Sequence, residues 1–158
     1  MKREKELLLL SHFRDNARES LTRISRKTSI PVSTIFDKLR HYEEDYIEKH
    51  TSLLDFRKLG FDVKAQLLFR IDKEQREAFK GFLLRHPRVN SVFRINNGFD
   101  YLVEAVFTSM HDLDGFFEET NKRGVTARQE YFVLQDVVRE AFLSYKPEFE
   151  QLGLASKG

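Results

Sequence analysis

The sequence contains no cysteine, and this absence excludes several kinds of chemistry. A chain without thiols has no disulfide framework, no cysteine nucleophile and no zinc site with sulfur ligands. It also lacks a glycine-rich phosphate loop, a G-x-S-x-G nucleophile elbow and an H-E-x-x-H metal pair. Its five histidines are scattered without the spacing of metal ligands. We therefore expect no metal, no cofactor and no catalytic residue.

Long hydrophobic runs are missing as well. The leucine run at Leu7–Leu10 follows basic residues but ends at Ser11 and His12. That length is far below the roughly 20 apolar residues of a transmembrane helix, and it does not make a convincing signal peptide. We expect a cytoplasmic protein.

What the chain does contain is typical of a globular protein. Hydrophobic residues make up 41% of its 158 residues, and fifteen of these are phenylalanines. This length provides one ordinary domain or two small ones, each near the lower limit at which an apolar core supports itself. Sharing a core with a second subunit would relieve that limit.

The net charge of +2 is unevenly distributed along the chain. Residues 11–40 hold seven Lys or Arg against three Asp or Glu, a net charge of +4, whereas residues 51–158 hold sixteen of each sign. A local positive field attracts a polyanion more than the overall sum does. Scattered solvated charges would explain a surplus of this size equally well, so a nucleic-acid partner also requires a suitable architecture.

Three helices are predicted in the first fifty residues. Apolar residues at helical spacing predict the first helix from Lys2 to about Arg14. Ser20 is a suitable N-cap for a second helix, and residues 28–30 form the turn after it. Pro31 is expected in the first turn of a third helix, where its missing N–H is tolerated. The buried side of this helix is predicted to consist of Ile35, Leu39 and Tyr42.

The outer side of the third helix is polar and basic. A helical wheel places Ser33, Asp37, Arg40 and His41 opposite the buried side, with Thr34 and Lys38 on one flank. Such groups fit a major groove about 12 Å wide and can contact base edges or phosphates. An ordinary three-helix bundle would also have a solvated face. However, two short helices separated by a tight turn are typical of a helix-turn-helix, and we expect these six residues to bind DNA.

Residues 46–55 alternate weakly, which predicts two short strands that form a wing or a hinge. Beyond Gly60, strict alternation predicts a strand over Val63–Ile71. Further strands are predicted at Val89–Ile95, Phe99–Phe107 and Arg128–Gln135. Helices are predicted around Phe79–Leu83, Leu113–Thr120 and Val138–Tyr145, and a tight turn at Asn96–Gly98.

The resulting order of strands and helices, β-α-β-β-α-β, predicts an α+β domain of the ferredoxin-like type. Helices on one face would leave the other face of the sheet open. A second copy of the same sheet is the simplest cover for that face. We therefore infer a homodimer.

Nearly the whole chain resembles the Lrp/AsnC family, the leucine-responsive or feast/famine regulators. Segments that match family patterns are Asp15 to Leu21, Ser33 to Ile35 with Lys38-Leu39, Tyr46 to Thr51, Leu53 to Asp55 and Lys58 to Phe61. In the second half, His86-Pro87 with Val89, Asn97 to Asp100 and Gly124-Val125 are similar to the family's "hP.V", "G.YD" and "GV" signatures. Asp45 stands where the family usually has glycine at the wing turn.

The resemblance implies a winged helix-turn-helix joined to an effector domain. It also implies dimers that assemble into tetramers or octamers, binding to pseudo-palindromic promoter DNA, and an amino-acid effector between effector domains. The effector residues would be Asn97, Gly98, Phe99 and Asp100. The corresponding domains are residues 1–50 for DNA binding, 51–60 as hinge, 61–146 as effector and dimerisation domain, and 147–158 as tail.

Alternatives remain open at this point. Asp100 follows a turn, where an aspartate often caps the local backbone instead of binding a ligand. Sirohaem decarboxylases resemble the same two-part fold, although they usually carry an apolar segment where this chain has Asp15 to Ser20. A dimer that senses a metabolite without binding DNA is the third possibility, and the charge of residues 11–40 argues against it.

Overall fold

A computed structural model describes residues 2–144 of the chain. These residues divide into two compact units. The first unit contains the described residues up to Leu53 together with residues 137–144, and the second contains Leu54–Asp136.

The first unit contains three helices, as predicted. Helix α1 spans Arg3–Asp15, α2 spans Leu21–Thr28 and α3 spans Val32–Asp45. Their apolar sides meet in a core that contains Leu9, Phe13, Ile24, Ile30, Ile35 and Tyr42. The spacing of these residues explains why the chain folds locally as it does, because each helix turns a single apolar side inward.

The ends of α2 and the start of α3 follow from local chemistry. The Ser20 hydroxyl accepts a hydrogen bond from the Arg23 backbone N–H, so the predicted N-cap is confirmed. Ser29 ends α2 in the left-handed region, with φ of 57°. Pro31 lies just before α3 and not in its first turn, so the helix begins one residue later than predicted.

The second unit is built on one antiparallel sheet of four strands. Strands β1 (Val63–Ile71), β2 (Val89–Arg94), β3 (Tyr101–Phe107) and β4 (Val125–Phe132) lie in the order β2-β3-β1-β4. Helix α4 (Arg76–Arg85) follows β1, and α5 (Met110–Asn121) follows β3. The predicted order β-α-β-β-α-β is therefore present, with the strand order of a ferredoxin-like sheet.

One face of this sheet and the two helices form the second core. Alternate residues of β1 and β3 are buried, and the register pairs Leu67 with Val103. Phe79 and Phe116 reach this core from the two helices, and both pack edge-on against Phe69, with ring centroids 5.3 and 6.5 Å apart. The alternation seen in the sequence thus reflects a half-buried sheet.

The predicted wing strands are absent from the described chain. No strand is present between Tyr46 and Asp55, so this prediction was wrong. The backbone N–H groups of Tyr46 and Ile47 both donate to the Tyr42 carbonyl, at 2.9 and 2.7 Å. Because these groups close the end of α3, they are not available for a strand ladder.

The predicted helix after the sheet is also wrong over the residues that the structure describes. Residues 137–144 contain no helix, and Glu140 and Leu143 have positive φ angles of 55° and 61°. These angles are incompatible with a right-handed helix. Tyr145 lies outside the described residues. Residues 137–144 pack within the first unit, where the Arg14 guanidinium donates to the Glu140 carboxylate.

The predicted strand ends differ by a few residues. Strand β4 begins at Val125, three residues before the predicted start, and ends at Phe132 opposite Ala65. Strand β3 begins at Tyr101, since Asp100 still belongs to the turn that precedes it. A strand ends where its neighbouring strand no longer pairs with it, and the local sequence of the strand does not reveal that position.

None of the helices within residues 2–144 has the length and apolar character needed to cross a bilayer.

Candidate nucleic-acid interface and effector turn

Helix α3 has one buried side and one open side, as predicted. Ile35 and Tyr42 are buried in the first core, whereas Ser33, Asp37, Arg40 and His41 are exposed. Four of the six predicted DNA-binding residues are therefore together on one solvent-facing surface.

The other two predicted residues, Thr34 and Lys38, are only half-exposed. The Lys38 ammonium lies 3.6 Å from the Glu6 carboxylate of α1. This ion pair already neutralises part of the positive charge of Lys38 that would otherwise attract a phosphate. Arg40 is thus the stronger candidate for a phosphate contact on α3.

The start of α3 is electrostatically suited to an anion. Its first intrahelical hydrogen bond runs from the Ile35 N–H to the Pro31 carbonyl at 3.0 Å, and Pro31 provides no side-chain cap. The N–H groups of the first turn point away from the helix body, at its positive end. No acidic residue lies in that turn. A phosphate approaching this end would meet free donors.

A polar cluster that sequence reasoning missed holds α1 and α2 together. The Glu19 side chain is only 6% exposed, and its carboxylate contacts Lys27 Nζ at 2.5 Å and His12 Nδ1 at 3.3 Å. The hydrogen bond from Lys27 lowers the pKa of Glu19, outweighing the opposing effect of burial. The cluster fixes the position of α2. Arg23, four residues after Glu19, also lies near its carboxylate, at 3.8 Å. His12 and Lys27 lie seven and eight residues away, so helical i,i+4 spacing could not have revealed these two partners.

The predicted turn in the second unit is confirmed. Asn97 and Gly98 have positive φ angles of 68° and 89°, and the Ile95 N–H donates to the Asp100 carbonyl at 3.0 Å across the hairpin. Asn97 and Gly98 are exposed and Phe99 is half-buried, whereas Asp100 is only 5% exposed. The four predicted effector residues are therefore contiguous but unequal in access.

The Asp100 carboxylate is fully engaged within the second unit. One oxygen accepts a hydrogen bond from the Ile71 N–H at 2.8 Å, and the other accepts one from Arg94 at 2.8 Å. Arg76 Nε lies 3.1 Å from that second oxygen. Burial alone would raise the pKa of Asp100, but these hydrogen bonds and the charges of the two arginines lower it overall. Asp100 thus joins the turn to β1 and α4 through contacts within the second unit.

Comparison with known proteins adds to this geometry. Residues 64–142, half of the chain, match the family model of the Lrp/AsnC ligand-binding domain. The chain belongs to the Lrp/AsnC family. The resemblance noted in the sequence is thereby confirmed, and it covers the sheet of the second unit from Lys64 onward.

Relatives of this Lrp/AsnC chain include regulators from archaea. It is 23% identical over 135 residues to an uncharacterized HTH-type transcriptional regulator of Pyrococcus furiosus, covering 85% of this chain and 91% of that protein. It is 32% identical over 102 residues to another such regulator of Pyrococcus horikoshii, covering 61% and 67%.

Solved structures share the fold. A methionine complex of a transcriptional regulator from Neisseria meningitidis has a TM-score of 0.83 at 22% identity, over 96% of this chain and 99% of that one. LrpC of Bacillus subtilis has a TM-score of 0.77 at 18% identity, over 84% and 94%. These likenesses extend beyond the ligand-binding domain, because they cover most of both chains.

Proposed function

We propose that this Lrp/AsnC protein is a transcription regulator that binds specific sequences in double-stranded DNA through α2 and α3. The observation that carries the proposal is the division of α3 into a core side and an open polar side with Ser33, Asp37, Arg40 and His41. In a helix-turn-helix the second helix lies in the major groove. The turn of Ser29 to Pro31 would set the angle between the two helices.

Charge supports the same assignment. Residues 11–40 carry a net charge of +4, and Arg26 on α2 and Arg40 on α3 are both exposed. Contacts between arginine side chains and phosphates hold a protein on the duplex, while side chains that contact base edges select the sequence. Arg40 is proposed as a phosphate contact, and Ser33, Thr34, Asp37, Lys38 and His41 as groups available to bases.

Dimerisation is proposed through the open face of the sheet. That face carries apolar residues at Leu68, Leu102 and Val106, which are half-buried, and at Phe93 and Tyr131, which are exposed. A second copy would cover them, and tetramers or octamers would build on this pair. Two copies of α3 would meet half-sites about 34–36 Å apart, or a multiple of that distance, on a pseudo-palindromic promoter site.

An amino acid or similar metabolite is proposed as effector, bound between effector domains near the turn of Asn97 to Asp100. The Neisseria regulator, solved with methionine, has the same fold. Both carboxylate oxygens of Asp100 already accept hydrogen bonds within the second unit. Asp100 would therefore position this turn instead of contacting the effector. The proposed domains are residues 1–50 for DNA binding, 51–60 as hinge, 61–146 as effector and dimerisation domain, and 147–158 as tail.

The test is selection of bound sequences from a random-sequence duplex library with the full chain at two salt concentrations. We expect a two-fold-related motif to be enriched, with affinity that falls steeply as salt rises. Arg40→Ala should reduce binding, and Arg85→Ala, which removes an exposed arginine of α4, should not. Failure to bind any duplex at low ionic strength would overturn the proposal, and amino-acid binding without DNA binding would favour a DNA-free sensor.

A further inference from the structure

The first two turns of α3 carry two large apolar side chains that the first unit leaves uncovered. Val32 is 41% exposed and Phe36 is 52% exposed. They are four residues apart, so they lie next to each other on one side of the helix. Neither belongs to the core, which takes Ile35 from the same turn.

The neighbours of this apolar pair are polar. On the helix, Val32 and Phe36 lie between the buried side and the open side that carries Ser33, Asp37 and Arg40. An isolated exposed apolar residue needs no explanation. Two together, at the edge of a polar surface and near the positive end of the helix, complement a partner whose surface is mostly polar and anionic but contains small apolar groups.

Duplex DNA has such a surface in its major groove. The 5-methyl group of thymine is the apolar feature that base edges present there, and phenylalanine is among the side chains that contact it. In a helix-turn-helix the N-terminal residues of the second helix are the ones that reach base edges. Val32 and Phe36 occupy that part of α3, and the net positive charge of residues 11–40 favours DNA over a protein partner.

We propose that Val32 and Phe36 form an apolar surface that reads thymine methyl groups in the major groove and so determines part of the sequence preference. This inference rests on the proposed function. Phe36 is the main contact because it is the larger and more exposed of the two. Val32 narrows the space beside Phe36 and so favours one position of the thymine methyl group against the Phe36 ring.

The experiment uses the duplex with the highest affinity in the selection described above. Each thymine is replaced in turn by uracil, which removes only the methyl group, and binding is measured by fluorescence anisotropy for the full chain. At one position of each half-site we expect a loss of about fourfold per methyl group. Phe36→Ala should bind the thymine duplex more weakly and should no longer distinguish thymine from uracil at that position.

Controls keep the outcomes separate. Leu84→Ala, which removes an exposed leucine of α4, should keep the full discrimination. Far-UV circular dichroism checks the fold of each variant, and indifference of the unmodified chain to every uracil would overturn the inference even where Phe36→Ala is unfolded.

Each remaining result counts against the inference. A chain that binds duplexes but is indifferent to every uracil overturns it, as does a Phe36→Ala variant with unchanged discrimination. A change in oligomeric state on sedimentation, with DNA discrimination unaltered, would assign Phe36 to contact with a second copy instead. Failure to bind any duplex would overturn the proposed function as well.

Discussion

The effector turn and the open side of α3 that carries Asp37 and Arg40 differ in where their charges are compensated. In the effector turn, Asp100 is buried, and Ile71, Arg94 and Arg76 satisfy it within its own unit. On α3, Asp37 and Arg40 are exposed to solvent. Charges that are compensated internally support the fold, whereas exposed charges remain available to a ligand. Sequence patterns suggested a binding role for Asp100, Asp37 and Arg40 alike, and burial distinguishes Asp100 from the other two.

The largest effect that sharpens this comparison is expected for Asp100→Ala. The change leaves the buried Ile71 N–H without an acceptor and two arginines without their anion. We expect the free energy of unfolding to fall by about 3 kcal/mol. Urea unfolding followed by circular dichroism measures it.

Asp37→Ala is the matched control for that variant, since it removes an exposed aspartate from the other predicted site. It should change the free energy of unfolding by less than about 0.5 kcal/mol. Equal losses in the two variants would contradict the contrast between the sites.

A second effect concerns DNA binding by α3. Arg40→Ala should lower affinity about tenfold and reduce the salt slope by about one unit, as expected for the loss of one phosphate contact. Lys38→Ala should do less, because Lys38 already pairs with Glu6. Titrations of a selected duplex at several salt concentrations give both quantities. A larger effect at Lys38 than at Arg40 would reverse our assignment of these two residues.

A smaller effect is expected from pH. Because the pKa of Asp100 in the folded chain lies below its ordinary value of 3.8, ionised Asp100 stabilises the second unit fully above that value. The contribution is lost as pH falls through the lowered pKa. Unfolding in urea between pH 6 and pH 2 should therefore show a steeper loss of stability below about pH 4 for the unmodified chain than for Asp100→Asn. Parallel curves for the two proteins would mean that Asp100 does not titrate as proposed.

The smallest effect is expected at the start of α2. Ser20→Ala removes the hydroxyl that accepts from the Arg23 N–H and should destabilise the first unit by about 1 kcal/mol. Thermal unfolding of the variant checks it, and Ser20→Asp, which keeps a capping acceptor, should restore most of the loss. If Ser20→Asp were no more stable than Ser20→Ala, the hydroxyl would not be acting as a cap.

Local patterns predicted much of the fold correctly. The alternation of apolar and polar residues in β1 correctly predicted both ends of this strand. The Asn97-Gly98 pair predicted a turn because both residues tolerate positive φ. The wing prediction failed because Tyr46 and Ile47 use their N–H groups to close α3. A weak alternation of apolar and polar residues does not reveal which acceptors the backbone N–H groups bind.

The candidate sites were only partly predictable. The six residues on α3 follow from helical spacing, but the Lys38–Glu6 pair joins two helices and cannot be read from either one. The partners of Asp100 lie up to 29 residues away in sequence, which explains why the local pattern favoured a backbone cap. Phe36 was overlooked because an apolar residue is ordinarily assumed to face the core. Its position off the line of Ile35, Leu39 and Tyr42 was the available signal.

The most direct test of DNA reading by α3 uses the natural absence of cysteine. Ser33→Cys and, as control, Glu118→Cys on α5 introduce single exposed thiols to which a photo-crosslinker is attached. On a selected duplex we expect crosslinks from position 33 at bases of both half-sites, on the major-groove side, and few from position 118. Equal crosslinking from the two positions, or none from position 33 while the duplex stays bound, would contradict the account.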